Sequence, residues 1–182
     1  MVSHALKQKL AINFIWTHKK FKRILIGDST QFELPPLFKK IYKGNGGAAS
    51  PSSIKVQYCF DLISASIVSL VNRSGVATDY SSEICFLEKN DLIIEDLGYF
   101  NIDRFKQIAK RRAYFLSRFR FGRVVFKKHK DEYVAIDLLK EEKKMKSGEI
   151  RQFQVWIDRK EKLPVRLILE KVPDQISDQK RR

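Results

Sequence analysis

Two short apolar runs in this sequence each end in an aspartate that is followed by a sharp turn. The first run, "KRILIGD", ends at Asp28, and the second, "DLIIED", ends at Asp96. Short apolar runs bounded by turn residues are typical of buried strands. Because functional groups collect where the strands of a mixed sheet end, we expect both aspartates to face one crevice.

Two carboxylates that lie close together have an electrostatic conflict to resolve. At a separation of about 4 Å and an effective dielectric constant near 20, they repel each other by about 4 kcal/mol. A bound cation removes this repulsion, and carboxylate oxygens suit Mg²⁺ or Mn²⁺. Aspartates after strands also commonly cap turns or helices, so the pattern alone leaves both roles open for Asp28 and Asp96.

The rest of the chain alternates between helix and strand signals. Apolar residues spaced four apart predict a helix over residues 4–20, and the alternation from Ile54 to Phe60 predicts a half-buried strand with "ASIVSLVNRSG" as its hairpin partner. Asn101 is placed to cap a helix, after which "AYFLSRF" predicts another strand. Beyond residue 122 we predict a β-meander with strands at residues 123–127, 133–139, 150–157 and 163–170.

The charge of the chain favours a polyanionic partner. The net charge is +15, and residues 101–182 carry 24 basic and 12 acidic side chains, against 12 and 9 in residues 1–100. Such a surface binds nucleic acid in a salt-dependent way. Five basic residues interleaved with phenylalanines are candidates for contacting a phosphate backbone, although a solvated strand face explains them equally well: Arg118, Arg120, Arg123, Lys127 and Lys128.

Several other classes of protein are excluded by composition and motif. No stretch approaches the roughly 18 apolar residues of a membrane span, so we expect a cytoplasmic protein with no membrane partner. Cys59 and Cys85 stand apart, and the histidines are scattered, which excludes a zinc-ligand pattern and a disulfide framework. The "GNGG" loop lacks the Lys-Ser/Thr pair of a P-loop, and "GDSTQ" lacks the second glycine of a nucleophile elbow around Ser29.

The two aspartate motifs carry a family resemblance. "GDSTQFELP" resembles the first catalytic motif of DDE-type cut-and-paste transposases of the insertion-sequence-4 class, and "EDLGYF", followed by a helix and "AYFLSRF", resembles the second. The "GNGG" loop and "SIKVQYCFDLIS" match the segment between them. The resemblance covers most of the chain, and the order and spacing of the two motifs make the combination more specific than either motif alone.

The resemblance implies an α/β fold in which an RNase H-like mixed sheet core is interrupted after its fifth strand by a β-rich insertion. We therefore expect four regions. Residues 1–22 are then the remnant of an N-terminal helical region, and residues 23–121 form part of the catalytic core. Residues 122–173 form the insertion, and residues 174–182 begin a basic helix that is truncated.

The resemblance also implies chemistry and partners. In this family, two divalent metal ions held by three carboxylates activate a water to cut the transposon end, and the freed 3′-hydroxyl then attacks target DNA. Carried over to this chain, Asp28 and Asp96 become catalytic ligands of Mg²⁺ or Mn²⁺, while Thr30, Gly98 and Tyr99 support the site. The implied partners are double-stranded DNA, at transposon ends and target, and a second copy in a homodimer of the full-length protein.

The sequence departs from the family pattern at its third acid. The family carries that acid in a Y-x-x-R-x-x-x-E pattern, but no tyrosine of this chain has an arginine three positions later. We therefore expect a truncated transposase fragment that is inactive alone. The alternative is a non-catalytic DNA-binding or regulatory fragment that associates with full-length transposase.

Overall fold

The structure is a computed structural model that describes residues 20–79 and 84–173. The predicted helix over residues 4–20 lies outside the described residues except for its last position, and the predicted basic helix at 174–182 lies wholly outside them. The chain divides into two compact units, Met1–Arg120 and Phe121–Arg182.

The first unit contains a five-stranded mixed sheet. Its strands are β1 (Arg23–Glu33), β2 (Ser53–Asp61), β3 (Ser66–Ser74), β4 (Asp91–Glu95) and β5 (Tyr114–Ser117). Their order in space is β3-β2-β1-β4-β5, with β1, β2 and β3 antiparallel in succession and β1, β4 and β5 parallel. This order and orientation are those of an RNase H-like sheet, which confirms the predicted fold class.

Strand β1 continues beyond the point predicted for its end. Its parallel pairing with β4 finishes at Gly27 and Glu95, but its antiparallel pairing with β2 continues from Asp28 to Glu33. Asp28 therefore lies within a strand, and the prediction that the strand ends there was wrong. The reason is that the long partner β2 satisfies the backbone hydrogen bonds of residues 28–33.

A helix, α1 (Ile102–Lys110), connects β4 to β5. Asn101 caps it as predicted, because its side chain accepts a hydrogen bond from the Arg104 backbone N–H at 3.0 Å. The ring of Phe105 is buried and stacks on Phe115 of β5, with ring centroids 4.1 Å apart. The apolar face of α1 is thereby fixed against the sheet directly after Asp96.

Over its described residues, 121–173, the second unit contains an antiparallel four-stranded sheet and a short helix. Its elements are β6 (Val125–His129), β7 (Glu132–Ile136), α2 (Leu138–Lys143), β8 (Ile150–Ile157) and β9 (Leu163–Glu170). Their spatial order, β7-β6-β8-β9, corrects the predicted meander, since β8 pairs with β6 instead of β7. Strand β6 takes the inner position because it carries the buried Val125 and Phe126.

Helix α2 replaces the end of a predicted strand. We predicted a strand over residues 133–139, but β7 ends at Ile136 and α2 begins two residues later. Asp137 caps the helix, accepting hydrogen bonds from the backbone N–H groups of Leu139 at 3.0 Å and Lys140 at 3.2 Å. Within residues 20–79 and 84–173, no helix is long and apolar enough to cross a membrane.

Candidate metal centre where β4 ends beside β1

The two aspartates predicted from sequence lie side by side in the sheet. Strands β1 and β4 are parallel neighbours, and the last residues that pair between them are Gly27 and Glu95. Asp28 and Asp96 are the next residues along each strand. Because neighbouring strands lie about 4.8 Å apart, both side chains leave the backbone close together, where the pairing of β1 with β4 finishes.

Asp28 is exposed and is oriented by two hydrogen bonds. Its Oδ1 accepts one from the Ser29 backbone N–H at 2.7 Å, and its Oδ2 accepts one from the Tyr58 hydroxyl at 3.3 Å. Tyr58 is the direct partner of Asp28 across the β1–β2 ladder. Partial burial raises the pKa of Tyr58, and the charge and hydrogen bond of Asp28 raise it further. The tyrosine therefore remains a proton donor to this carboxylate.

Asp96 combines the two roles that the sequence left open. It is the N-cap of the 3₁₀ turn Leu97–Tyr99, and its Oδ1 accepts a hydrogen bond from the Gly98 backbone N–H at 2.9 Å. The side chain is nevertheless exposed, directly after the end of β4. Capping fixes its direction and leaves a carboxylate that can meet a cation.

A further aspartate, Asp79, lies near Gly98 and Asp96, and sequence reasoning did not place it there. Asp79 Oδ1 accepts hydrogen bonds from the Ser29 hydroxyl at 2.9 Å and from Lys55 Nζ at 3.0 Å. A Cβ added to Gly98 would lie 3.0 Å from Asp79 Oδ2 and 3.2 Å from Asp96 Oδ1. A glycine at position 98 thus lets the two carboxylates approach one point. No local motif marks Asp79, because the fold alone brings it there.

The motif residues named as supports occupy different positions. Thr30 lies two residues after Asp28 on β1, so it shares the face of the aspartate, and it is exposed. Tyr99 is buried. Burial is the largest cause of its raised pKa. A hydrogen bond with Ser29 opposes that shift, and the charges of Asp79, Glu95 and Asp28 add to it. Tyr99 is therefore a buried, uncharged side chain close to the acidic groups.

An ion pair lies under the two aspartates. Glu95 and Arg104 are both buried, and Arg104 Nε donates to Glu95 Oε2 at 2.9 Å while Nη2 donates to Oε1. Burial raises the pKa of Glu95, and the hydrogen bond and charge of Arg104 oppose that shift. Sequence reasoning did not single out this pair, since a glutamate on a strand and an arginine on a helix carry no pairing signal.

The carboxylate oxygens of Asp28 and Asp96 are of the kind that binds a hard cation. Asp28 and Asp96 offer carboxylate oxygens on adjacent backbone positions, and both are exposed, so waters can complete the coordination. Among the described residues, no group of three or more acidic, histidine or cysteine side chains has the geometry to hold a metal ion. The third carboxylate implied by the resemblance is therefore not found in this part of the chain.

The five basic residues predicted to contact DNA fall into both units. Arg118 and Arg120 follow β5 in the first unit, and both are exposed. Arg123, Lys127 and Lys128 belong to the second unit. Consecutive strand residues face opposite sides of a sheet, so Lys127 and Lys128 do not share a face.

The environments of the two lysines differ as well. Lys127 Nζ lies 4.6 Å from the centroid of the Phe153 ring, whereas Lys128 is exposed and lies 4.0 Å from Asp131. Lys127 therefore covers an aromatic ring, and Lys128 is the more accessible cation.

The described residues thus combine an RNase H-like sheet with two aspartates at adjoining positions of parallel strands. The chain belongs to the transposase DDE domain family, whose model matches residues 19–176. This confirms the resemblance drawn from the two motifs. Transposases of this family use divalent metal ions.

Named relatives are transposases of bacterial insertion sequences. The chain is 33% identical over 172 residues to the transposase for insertion sequence element IS1151 of Clostridium perfringens, covering 85% of this chain and 36% of that protein. It is 28% identical over 180 residues to the transposase for IS231E of Bacillus thuringiensis subsp. finitimus, covering 89% and 38%. The chain thus spans little more than a third of these relatives.

A distant likeness to a solved structure accompanies these matches. The cryo-EM structure of a piggyBac transposase synaptic complex with hairpin DNA is 13% identical, with a TM-score of 0.44, and the match covers 81% of this chain and 33% of that one.

Proposed function

We propose that this chain is part of a DNA transposase in which Asp28 and Asp96 together hold a divalent cation, Mg²⁺ or Mn²⁺, for phosphodiester hydrolysis and strand transfer. The observation that carries the proposal is the parallel register of β1 and β4, which makes the two aspartates the next residues after a paired Gly27 and Glu95. Family membership supplies the reaction class.

The residues around the aspartates would prepare them for this task. The Tyr58 hydroxyl and the Gly98 backbone N–H each hold one carboxylate by a hydrogen bond. A fixed carboxylate loses less conformational entropy when it binds a cation. When bound, such a cation neutralises the negative charge that develops on the phosphodiester.

We propose further that the chain alone does not transpose DNA. Two carboxylates provide one negative charge and at least one oxygen ligand fewer than three, so a second cation is held weakly. A second candidate function follows from the same observation, namely a non-catalytic DNA-binding or regulatory fragment that associates with full-length transposase. Duplex DNA, contacted by the basic residues of 101–182, is the partner in both proposals.

Calorimetric titration of the 182-residue chain with Mn²⁺ tests the metal proposal. We expect Asp28→Ala to weaken binding by well over tenfold, since even outer-shell substitutions cost about tenfold or more. Asp103→Ala is the matched control, because Asp103 is an acidic residue of the same unit whose side chain is 81% exposed. Equal Mn²⁺ affinity in the chain and in both variants would contradict the proposal.

Cleavage of DNA carrying the transposon ends tests the inactivity that both candidate functions predict for the chain alone. Incubation with Mg²⁺ or Mn²⁺ should give no cleavage or strand transfer if the chain is inactive alone. Cleavage that Asp28→Ala abolishes would show instead that another acid completes the site, and would exclude the non-catalytic fragment.

A further inference from the structure

The residues that immediately precede the two aspartates interlock. Gly27 and Glu95 are direct partners across β1 and β4. A Cβ added to Gly27 would lie 2.9 Å from Glu95 Oε1 and 3.1 Å from its Cγ, distances that real Cβ atoms rarely or never show. The Glu95 carboxylate therefore occupies the space that a side chain at position 27 would need, and the glycine is required by contact.

Helix α1 holds that carboxylate in place. The Arg104 guanidinium engages both Glu95 oxygens, through Nε at 2.9 Å and through Nη2, and each side chain is only 4% exposed. The same guanidinium lies 5.6 Å from the centroid of the Tyr99 ring, in the turn that Asp96 caps. One buried guanidinium thus binds the residue before Asp96 and lies over the ring of a residue in the turn after it.

Stability alone is a weak explanation for this buried pair. Removing two charges from water costs several kcal/mol per ion, and replacing such a pair by apolar residues of similar volume is often neutral or stabilising. The pair instead fixes the position of the Glu95 carboxylate, since a bidentate guanidinium sets the direction of the contact as well as its distance. Glu95 also neutralises a buried positive charge that would otherwise repel a cation at Asp96.

We propose that the Gly27–Glu95–Arg104 interlock is a positioning element that sets the separation and direction of Asp28 and Asp96 for a shared cation. In this proposal the three residues act through the two aspartates and contact neither the cation nor the DNA. The cation in this inference rests on the proposed function, whereas the geometry of residues 28 and 96 can be tested without it.

The structure provides a matched control at the opposite end of the same two strands. Arg23 on β1 pairs with Asp91 on β4, its direct partner in the ladder, and Arg23 Nε donates to Asp91 Oδ1 at 3.0 Å. The Asp91 side chain is fully buried. Arg23→Lys and Arg104→Lys therefore make the same change in two ion pairs. The Arg23 pair lies where the β1–β4 pairing starts, far from the aspartates, and the Arg104 pair lies where that pairing finishes, next to them.

The first measurement is the Mn²⁺ affinity of the 182-residue chain and its variants. Lysine keeps the charge but loses the bidentate fork. We expect Arg104→Lys to weaken binding about tenfold, as outer-shell substitutions do, and Arg23→Lys to change it less than twofold. Gly27→Ala, which displaces Glu95 from the β1 side, should weaken Mn²⁺ binding as Arg104→Lys does. This second variant keeps the test decisive if Arg104→Lys fails to fold. Circular dichroism verifies that each compared variant is folded. Equal affinities in Arg104→Lys and Arg23→Lys would overturn the proposal.

The second measurement needs no metal. Asp28→Cys and Asp96→Cys, combined with Cys85→Ser, place two thiols on in-register neighbours, where strand spacing permits a disulfide. We expect oxidation of this pair to slow when Arg104→Lys is added and to remain unchanged with Arg23→Lys. Equal rates in both backgrounds would show that the pair is only structural. If the wild-type chain and Asp28→Ala bind Mn²⁺ alike, the proposed function fails, and the disulfide rates still decide the positioning role.

Discussion

The two compact units differ in what they bury. Every buried polar or charged side chain among the described residues lies in the first unit, and these include Gln57, Asp61, Asp91, Glu95 and Arg104. The buried residues described in the second unit are apolar: Val125, Phe126, Met145, Val155 and Ile157. Buried polar groups cost desolvation and fix the direction of their contacts, whereas buried apolar groups supply stability without directional contacts.

The difference fits the two roles in the proposed function. The first unit would need to hold two carboxylates in a defined arrangement, and an ion pair lies at each end of the paired segments of β1 and β4. The second unit would need only to present charge to DNA, and an apolar core with basic residues on its exterior is sufficient for that. If the roles differ in this way, substitutions of buried residues should have different effects in the two units.

The largest expected effect is Asp91→Ala in the first unit. Asp91 accepts hydrogen bonds from Arg23 and, at 2.7 Å, from the Glu88 backbone N–H. Removing one partner of a buried pair costs about 3 to 5 kcal/mol, and the low end applies here because Arg23 is 19% exposed and keeps Glu88 Oε1 at 3.7 Å. We expect the free energy of unfolding of the first unit to fall by that amount.

Labelling of Cys59 measures this loss. Burial, followed by the charge of Glu95, raises the pKa of the Cys59 thiol to about 12, so almost no thiolate is present near pH 8 in the folded first unit. In a Cys85→Ser background, which removes the exposed thiol, Asp91→Ala should accelerate modification of Cys59. An unchanged labelling rate would show that the Arg23–Asp91 pair does not stabilise this unit.

A smaller effect is expected from Ile157→Val in the second unit. Ile157 is buried on β8, and removing one methylene from an apolar core costs about 0.5 to 1.5 kcal/mol. In a Trp16→Phe background, which leaves Trp156 as the single tryptophan of the sequence, fluorescence reports on this sheet during urea denaturation. The midpoint should decrease modestly while Cys59 labelling in the folded chain remains unchanged. A parallel change in both signals would show that the units unfold as one.

The smallest effect on stability, and a clear effect on binding, is expected at exposed basic residues of the second unit. If Arg123 and Lys128 each contact a phosphate, Arg123→Gln with Lys128→Gln should reduce the slope of log K against log salt for duplex DNA by about 1.8. Lys22→Gln is the control, because Lys22 pairs with Glu88 in the first unit. A slope that the double variant leaves unchanged would place the DNA contacts elsewhere.

The sequence was sufficient to predict features whose signals are local. The apolar runs predicted β1 and β4, Asn101 predicted the start of α1, and the alternation of Leu163 to Glu170 predicted β9. Both aspartate motifs predicted the family, which the match over residues 19–176 confirms. The roles of Asp28 and Asp96 as metal ligands stay a prediction.

Features that depend on tertiary contacts were beyond the sequence. The position of Asp79 depends on Ser29 from β1 and Lys55 from β2, and the Glu95–Arg104 pair requires α1 to pack on β4. Helix α2 was missed for a different reason. The apolar run up to Leu139 favoured a strand, and the capping signal of Asp137 was overlooked within it.

The central claim is that Asp28 and Asp96 serve one cation together. The most direct test is Mn²⁺ binding to four proteins, measured by electron paramagnetic resonance: the wild-type chain, Asp28→Ala, Asp96→Ala and the double variant. A shared site predicts that each single variant loses most of the affinity and that the double variant loses little more. Additive losses from two independent sites, or binding that survives in all four proteins, would contradict the account.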